Sequence, residues 1–97
     1  MNTFDALKER LLQLDGVEES TIMRKPCLRF NGDFLAMYLE KNNAIVIKTK
    51  PQLVKKYIDQ GIASPFNITG RNFKEWIQLD QEFHNLAYDI ITESIQM

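Results

Sequence analysis

The sequence is poorest in the residues that build metal centres and covalent staples. Its 97 residues contain one cysteine, Cys27, and one histidine, His84. A lone cysteine forbids an intramolecular disulfide and suits a reducing compartment. With no HxxxH or CxxC spacing, the common zinc sites have no ligand set. No apolar run approaches the ~20 residues of a membrane span. The N-terminal MNTFDALKERLLQLDG is charged and amphipathic, unlike a secretory leader. A cytoplasmic location without membrane contact is therefore expected. The nucleotide and nucleophile signatures GxxxxGK[ST], GxGxxG and GxSxG are also missing. No enzyme activity, cofactor or metal is expected.

What is present has the balance of a folded protein. Hydrophobic residues make up 44% and charged residues 26%, too apolar for a disordered chain. The length fits one domain with one core. The formal net charge of −1 conceals a basic middle between acidic ends. Residues 1–19 set Lys8 and Arg10 against Asp5, Glu9, Asp15, Glu18 and Glu19. Residues 80–97 hold only Asp80, Glu82, Asp89 and Glu93. Between them lie ten cations, among them Lys48, Lys50, Lys55, Lys56, Arg71 and Lys74, against four carboxylates. Such a middle can present a basic surface, or it can be neutralised by the ends on folding.

Apolar spacing sets out the elements. Phe4, Leu7, Leu11 and Leu14 recur by three and four, predicting a helix over residues 3–15 that Gly16 can end. A short strand is expected near Thr21–Met23, with Pro26 at an edge or the start of a strand. Asn31-Gly32 is a strong type I′ hairpin signal. Strict alternation after it places Phe34, Ala36 and Tyr38 on one side and Leu35, Met37 and Leu39 on the other. Both sides are apolar, so this strand is central. Ala44–Lys48 completes a three-stranded meander. Pro51 opens a second helix over 51–60, with Leu53, Val54, Tyr57 and Ile58 as its stripe and Gly61 as its stop. Phe66–Thr69 and Phe73–Leu79 read as strands around Gly70-Arg71-Asn72. Asp80 can cap a last helix that buries Phe83, Leu86, Ala87, Ile90 and Ile91. The order α-β-β-β-α-β-β-α is α+β, a two-layer sandwich with about five antiparallel strands. One sheet face is covered by helices; the other must be wet, or covered by a partner or by a stray helix.

Few constellations suggest chemistry. Arg24 and Lys25 could favour a Cys27 thiolate, but no histidine base accompanies it, and a small apolar strand residue is the simpler reading. His84 is expected toward solvent at the start of the last helix. Glu18-Glu19 reads as a solvated acidic loop beside a turn. The segment SPFNITGRNFKEW, residues 64–76, combines Arg71 and Lys74 with Phe66, Phe73 and Trp76. Basic groups among aromatics can grip phosphates and stack on bases. Large aromatics in a hairpin are also ordinary sheet packing.

The same segments carry a family likeness. LRFNGDFLAMYLEKNNAIVIKTK followed by GIASPFNITGRNFKEWIQLD resembles the N-terminal domain of the TfoX competence regulators, over about residues 20–95. The shared outline is the NG hairpin, a strand ending in lysine, a helix, then Gly61, Pro65-Phe66, Gly70-Arg71, and Lys74 with Trp76. LLQLDGVEES is similar to a segment of the YjbR-like proteins, a rival assignment. The TfoX likeness implies the same α+β fold; full-length members of that family carry a second, C-terminal domain, whereas a single such domain over residues 1–97, with no second domain, is expected here. It also implies a non-enzymatic regulatory or protein-interaction module, whose partner it does not identify; apart from the likeness, the sequence leaves a homodimer open. Two alternatives stand beside it. One is a nucleic-acid-binding accessory using Lys48, Lys50, Lys55, Lys56, Arg71 and Lys74. The other is a small-molecule binder or enzyme with an unrecognised pocket.

Overall fold

The computed structural model describes residues 3–22, 24–40, 43–68 and 71–96, with side chains except at 3, 67, 68 and 71–74. Its elements run α1 (Thr3–Leu11), β1 (Val17–Ile22), β2 (Lys25–Phe30), β3 (Asp33–Leu39), β4 (Ala44–Lys48), α2 (Pro51–Asp59), β5 (Ser64–Ile68) and β6 (Arg71–Leu79). A 3-10 helix (Gln81–Leu86) then leads into α3 (Ala87–Gln96). The strands form one antiparallel sheet in the order β1-β2-β3-β4-β6-β5. The α+β class expected from the sequence is the observed one.

The helices supply one layer. Phe4, Leu7 and Leu11 from α1, Leu53 and Tyr57 from α2, and Ala87, Ile90 and Ile91 from α3 share a core with Leu28, Ile45, Ile47, Ile77 and Leu79 of the sheet. Burying each of the large aliphatic side chains contributes roughly 1.5–3 kcal/mol relative to exposure. Polar contacts then fix the helices to one another. The Arg10 guanidinium lies 3.9 Å from the centre of the Tyr88 ring, tying α1 to α3. Helix α2 closes with Ile62 N–H donating to the Tyr57 carbonyl and Gly61 N–H to the Ile58 carbonyl, the paired bonds of a Schellman ending.

The sheet has six strands where about five were expected. The extra one is β1: VEESTI pairs in full register with β2, from Val17↔Phe30 to Ile22↔Lys25, so the meander has four strands. Glu18 and Glu19 thus lie in an edge strand, not a loop. The sequence marks a strand only near Thr21–Met23; the rest of β1 escapes it because Val17 is its one buried side chain. Helix α1 stops at Leu11, short of residue 15, and turns carry the chain to Gly16. The last helix begins as a 3-10 helix, and Asp80 stands at its N-cap position without a side-chain hydrogen bond.

The faces of β3 also differ from strict alternation. Cys27 opposes Met37 and Leu28 opposes Ala36, but Arg29 opposes Phe34, so Leu35 is an extra residue at a bulge. Two consecutive side chains, Leu35 and Ala36, therefore enter the helix-covered core. Phe34 crosses to the opposite face with Met37. A one-residue insertion inverts the pattern of every residue beyond it.

That opposite face is closed by the chain's own side chains. Cys27, Phe34, Met37, Val46 and Phe66 are buried there, with Ile22, Leu39 and Trp76 packed against them. The Trp76 indole stacks on Phe34, with centroids 4.4 Å apart, and on Phe66 at 5.5 Å. The Gly70 turn expected between β5 and β6 lies outside the described residues.

Gly16 docks α1's trailing turn on the β2–β3 hairpin. Asn31 and Gly32 both have positive φ, as a type I′ turn requires, and Asn31 N–H donates to the Gly16 carbonyl at 2.9 Å. Gly16 has φ +88°, and a Cβ there would stand 2.5 Å from Asn31 Oδ1 and 2.9 Å from the Phe30 ring. Gly16→Ala is expected to cost about 1–3 kcal/mol. Urea unfolding would show this as a lower midpoint at unchanged slope; an unchanged midpoint would refute the tight docking.

Candidate functional site

The intrinsically reactive side chains are withdrawn from solvent. Cys27 is 3% exposed, and burial pushes its thiol pKa up, with Arg29 only partly opposing that. His84, expected toward solvent, is 5% exposed. The 3-10 turn rotates it inward, where it meets the Tyr38 ring edge-on at 6.4 Å. Its Nε2 has no hydrogen-bond partner among the described residues. No group of three or more His, Cys, Asp or Glu among those residues is placed to hold a metal ion. No helix among them is long and apolar enough to cross a membrane.

The best-defined concave site is a cleft of about 260 Å³ at one end of the sheet, where β3 begins and β4 ends. Phe30, Phe34 and Leu35 form its apolar wall, with Ile95 of α3 across from them. Lys48, Thr49 and Lys50 line it from the β4–α2 junction, and Asp33 and Glu75 bring carboxylates to it. The junction is held from both sides. Thr49 N–H donates to the Glu75 carbonyl at 2.7 Å, extending the β4–β6 ladder by one bond. Thr49 is 6% exposed, and its Oγ1 lies 2.6 Å from Ser94 Oγ, which also lies 2.8 Å from the Ile90 carbonyl. A hydroxyl has one hydrogen. Ser94 therefore donates to the carbonyl and accepts from Thr49.

The sequence-predicted basic residues divide between two environments. Lys48 and Lys50 are half-buried in the cleft, and neither makes an ion pair among the described residues. Lys55 and Lys56 are exposed on α2 and paired, Lys55 with Asp59 at 3.4 Å and Lys56 with Glu93 at 3.3 Å. The side chains of Arg71 and Lys74 lie outside the described set. The cleft's other residues escaped the sequence reading because they are distant in the chain. Their only local sign was an apolar strand start opposite a lysine-rich strand end.

Beside the cleft, Glu93 clasps α3 to α2. Tyr57 donates its hydroxyl hydrogen to Glu93 Oε1 at 2.9 Å. Burial, together with the Glu93 carboxylate, raises the Tyr57 pKa from 10.0 to about 12. The bond from Tyr57, joined by the Lys56 ammonium, holds the Glu93 pKa below its usual range despite some desolvation.

An α+β two-layer protein with a mixed-charge cleft at the sheet end and its thiol and imidazole buried is the class these features define. No family model, curated protein or solved structure matches the chain.

The clasp makes a pH prediction. A raised Tyr57 pKa contributes stability that is complete below pH 10 and lost as pH climbs through about 12. The lowered Glu93 pKa contributes stability present above the ordinary carboxylate range and lost as pH falls below that range through the lowered value. Absorbance titration should find one of the three tyrosines ionising late. Tyr57→Phe should remove that late step and cost roughly 1 kcal/mol, the low end for a charge-assisted bond to a half-exposed partner. A late step that persists in Tyr57→Phe would refute the assignment.

Proposed function

We propose that the chain is a non-enzymatic protein-interaction module of regulatory type, as its likeness to TfoX N-terminal domains implies. On this reading it takes a partner by strand addition at β1. The observation that carries this is the contrast between the two sheet edges. At the β5 edge, Pro65 removes a donor and the register slips between Pro65 and Asn67. Both devices discourage a further strand. At the β1 edge there is no proline and no register shift.

The phase of the ladder identifies what β1 offers. Asn31 N–H bonds to the Gly16 carbonyl, and this register makes Gly16, Glu18, Ser20 and Ile22 face β2 with their backbone groups. Val17, Glu19 and Thr21 then turn theirs outward. Two of these outward groups are occupied: Val17 N–H donates to the Leu14 carbonyl, and the Arg29 guanidinium donates to the Thr21 carbonyl at 3.2 Å. The Val17 carbonyl, both Glu19 groups and Thr21 N–H remain for an incoming strand. Self-pairing of two copies centred on Glu19 would set like charges opposite each other, which favours a different protein as partner.

Buried Cys27 and His84 support a non-enzymatic role. The nucleic-acid alternative is disfavoured because Lys55 and Lys56 already face carboxylates and the cleft lysines share their site with Asp33 and Glu75.

Affinity capture from a cell lysate, read by mass spectrometry, tests this with Glu19→Pro and Glu19→Gln. Proline removes an outward N–H while leaving the β1–β2 bonds intact. Glutamine loses only the charge, including the 3.7 Å contact with Lys8. Proteins retained by the wild type and Glu19→Gln across salt conditions should be lost from Glu19→Pro, with circular dichroism unchanged. Equal retention by the proline variant, or background proteins alone, would overturn the reading.

A further inference from the structure

Strand addition at β1 uses backbone groups of Val17, Glu19 and Thr21, and no residue of β1 lines the cleft. Its lysines present an unusual balance. Lys48 and Lys50 are both half-buried, yet no carboxylate lies within ion-pair distance of either among the described residues. Asp33 and Glu75 line the same cleft and are exposed. The lysine stems are partly covered by the cleft while their ammonium groups have no partner carboxylate among the described residues. An ammonium held at an apolar wall without a counter-charge can pair with an anionic ligand.

We infer that this cleft binds a small organic monocarboxylate with an apolar body. The carboxylate meets Lys48 and Lys50, and the body lies on Phe30, Phe34, Leu35 and Ile95. Three observations select this class. A volume of about 260 Å³ falls just below the usual range for drug-sized ligands. The wall of aromatic and aliphatic side chains favours an apolar substituent over a bare inorganic ion. The exposed carboxylates of Asp33 and Glu75, which line the same cleft, oppose a second negative charge, so a phosphomonoester, which carries nearly two, is disfavoured. The Thr49–Ser94 hydroxyl pair fixes the β4–α2 junction from which both lysines project, so the site is largely formed before the ligand arrives.

Amide-resolved NMR titration with defined probes tests this. Phenylacetate should give saturable shifts at Thr49, Lys50 and Ser94 with a Kd of millimolar order or tighter. Phenylacetamide, equal in shape but neutral, and phenyl phosphate should each bind at least about tenfold more weakly. The double variant Lys48→Gln/Lys50→Gln should erase the difference between acid and amide, while Lys55→Gln preserves it. Equal binding of acid and amide by the wild type would overturn the inference, as would tighter binding of the phosphate. So would the lack of saturable shifts with both phenylacetate and hexanoate. Because the acid–amide comparison is made on the unaltered protein, a folding defect in the double variant does not weaken it.

Discussion

A sheet with large apolar side chains on both faces must hide both of them. Here the helices can cover only one, so the rest of the structure depends on the stacking of Trp76 between Phe34 and Phe66. The three rings come from β6, its neighbour β5, and β3, which lies beyond β4, so the stack spans four strands. They roof Val46 and Met37, which are almost completely buried. The stack exists because the β3 bulge delivers Phe34 to this face; unbroken alternation would have sent it under the helices. Removing the indole would uncover an apolar surface that has no helix to protect it.

The fold was legible in the sequence where a local signal coincided with a tertiary one. Asn31-Gly32 marked its hairpin because positive φ at both positions is a local demand. Pro51 and Gly61 bracketed α2 for the same kind of reason. The misses share a physical cause, which is that the deciding partner is remote in sequence. β1 is polar on its open side and is held by pairing with β2. His84 turns inward because six residues after Asp80 wind as a 3-10 helix, a change of period that composition does not announce. Lys48 and Lys50 were singled out for their charge, but α3, more than forty residues on, completes the cleft around them.

Unpaired backbone groups line the β1 edge and a cleft opens at the end of the sheet, while reactive atoms are kept inside. Cys27 belongs to the aromatic-roofed face and His84 to the helix-covered one, so each is shielded by a different layer. The ends of α2 and the C-terminal part of α3 meet through Glu93 and Ser94, consecutive residues that face different neighbours. Glu93 secures helix to helix, and Ser94 secures helix to strand. One turn of α3 thus sets both the rigidity of the layer and the shape of the cleft.

The bulge in β3 also bears on how sequences of this kind should be compared. Ala36 and Phe34 already occupy opposite faces, so deleting Leu35 would leave every other residue of the strand on its present side. A homologue one residue shorter could keep both buried layers and lose only one wall of the cleft. The gap in a correct alignment would then fall inside a central strand, where gaps are usually forbidden. A comparison that confines gaps to loops would shift the NG turn out of step with its strand and miss the kinship.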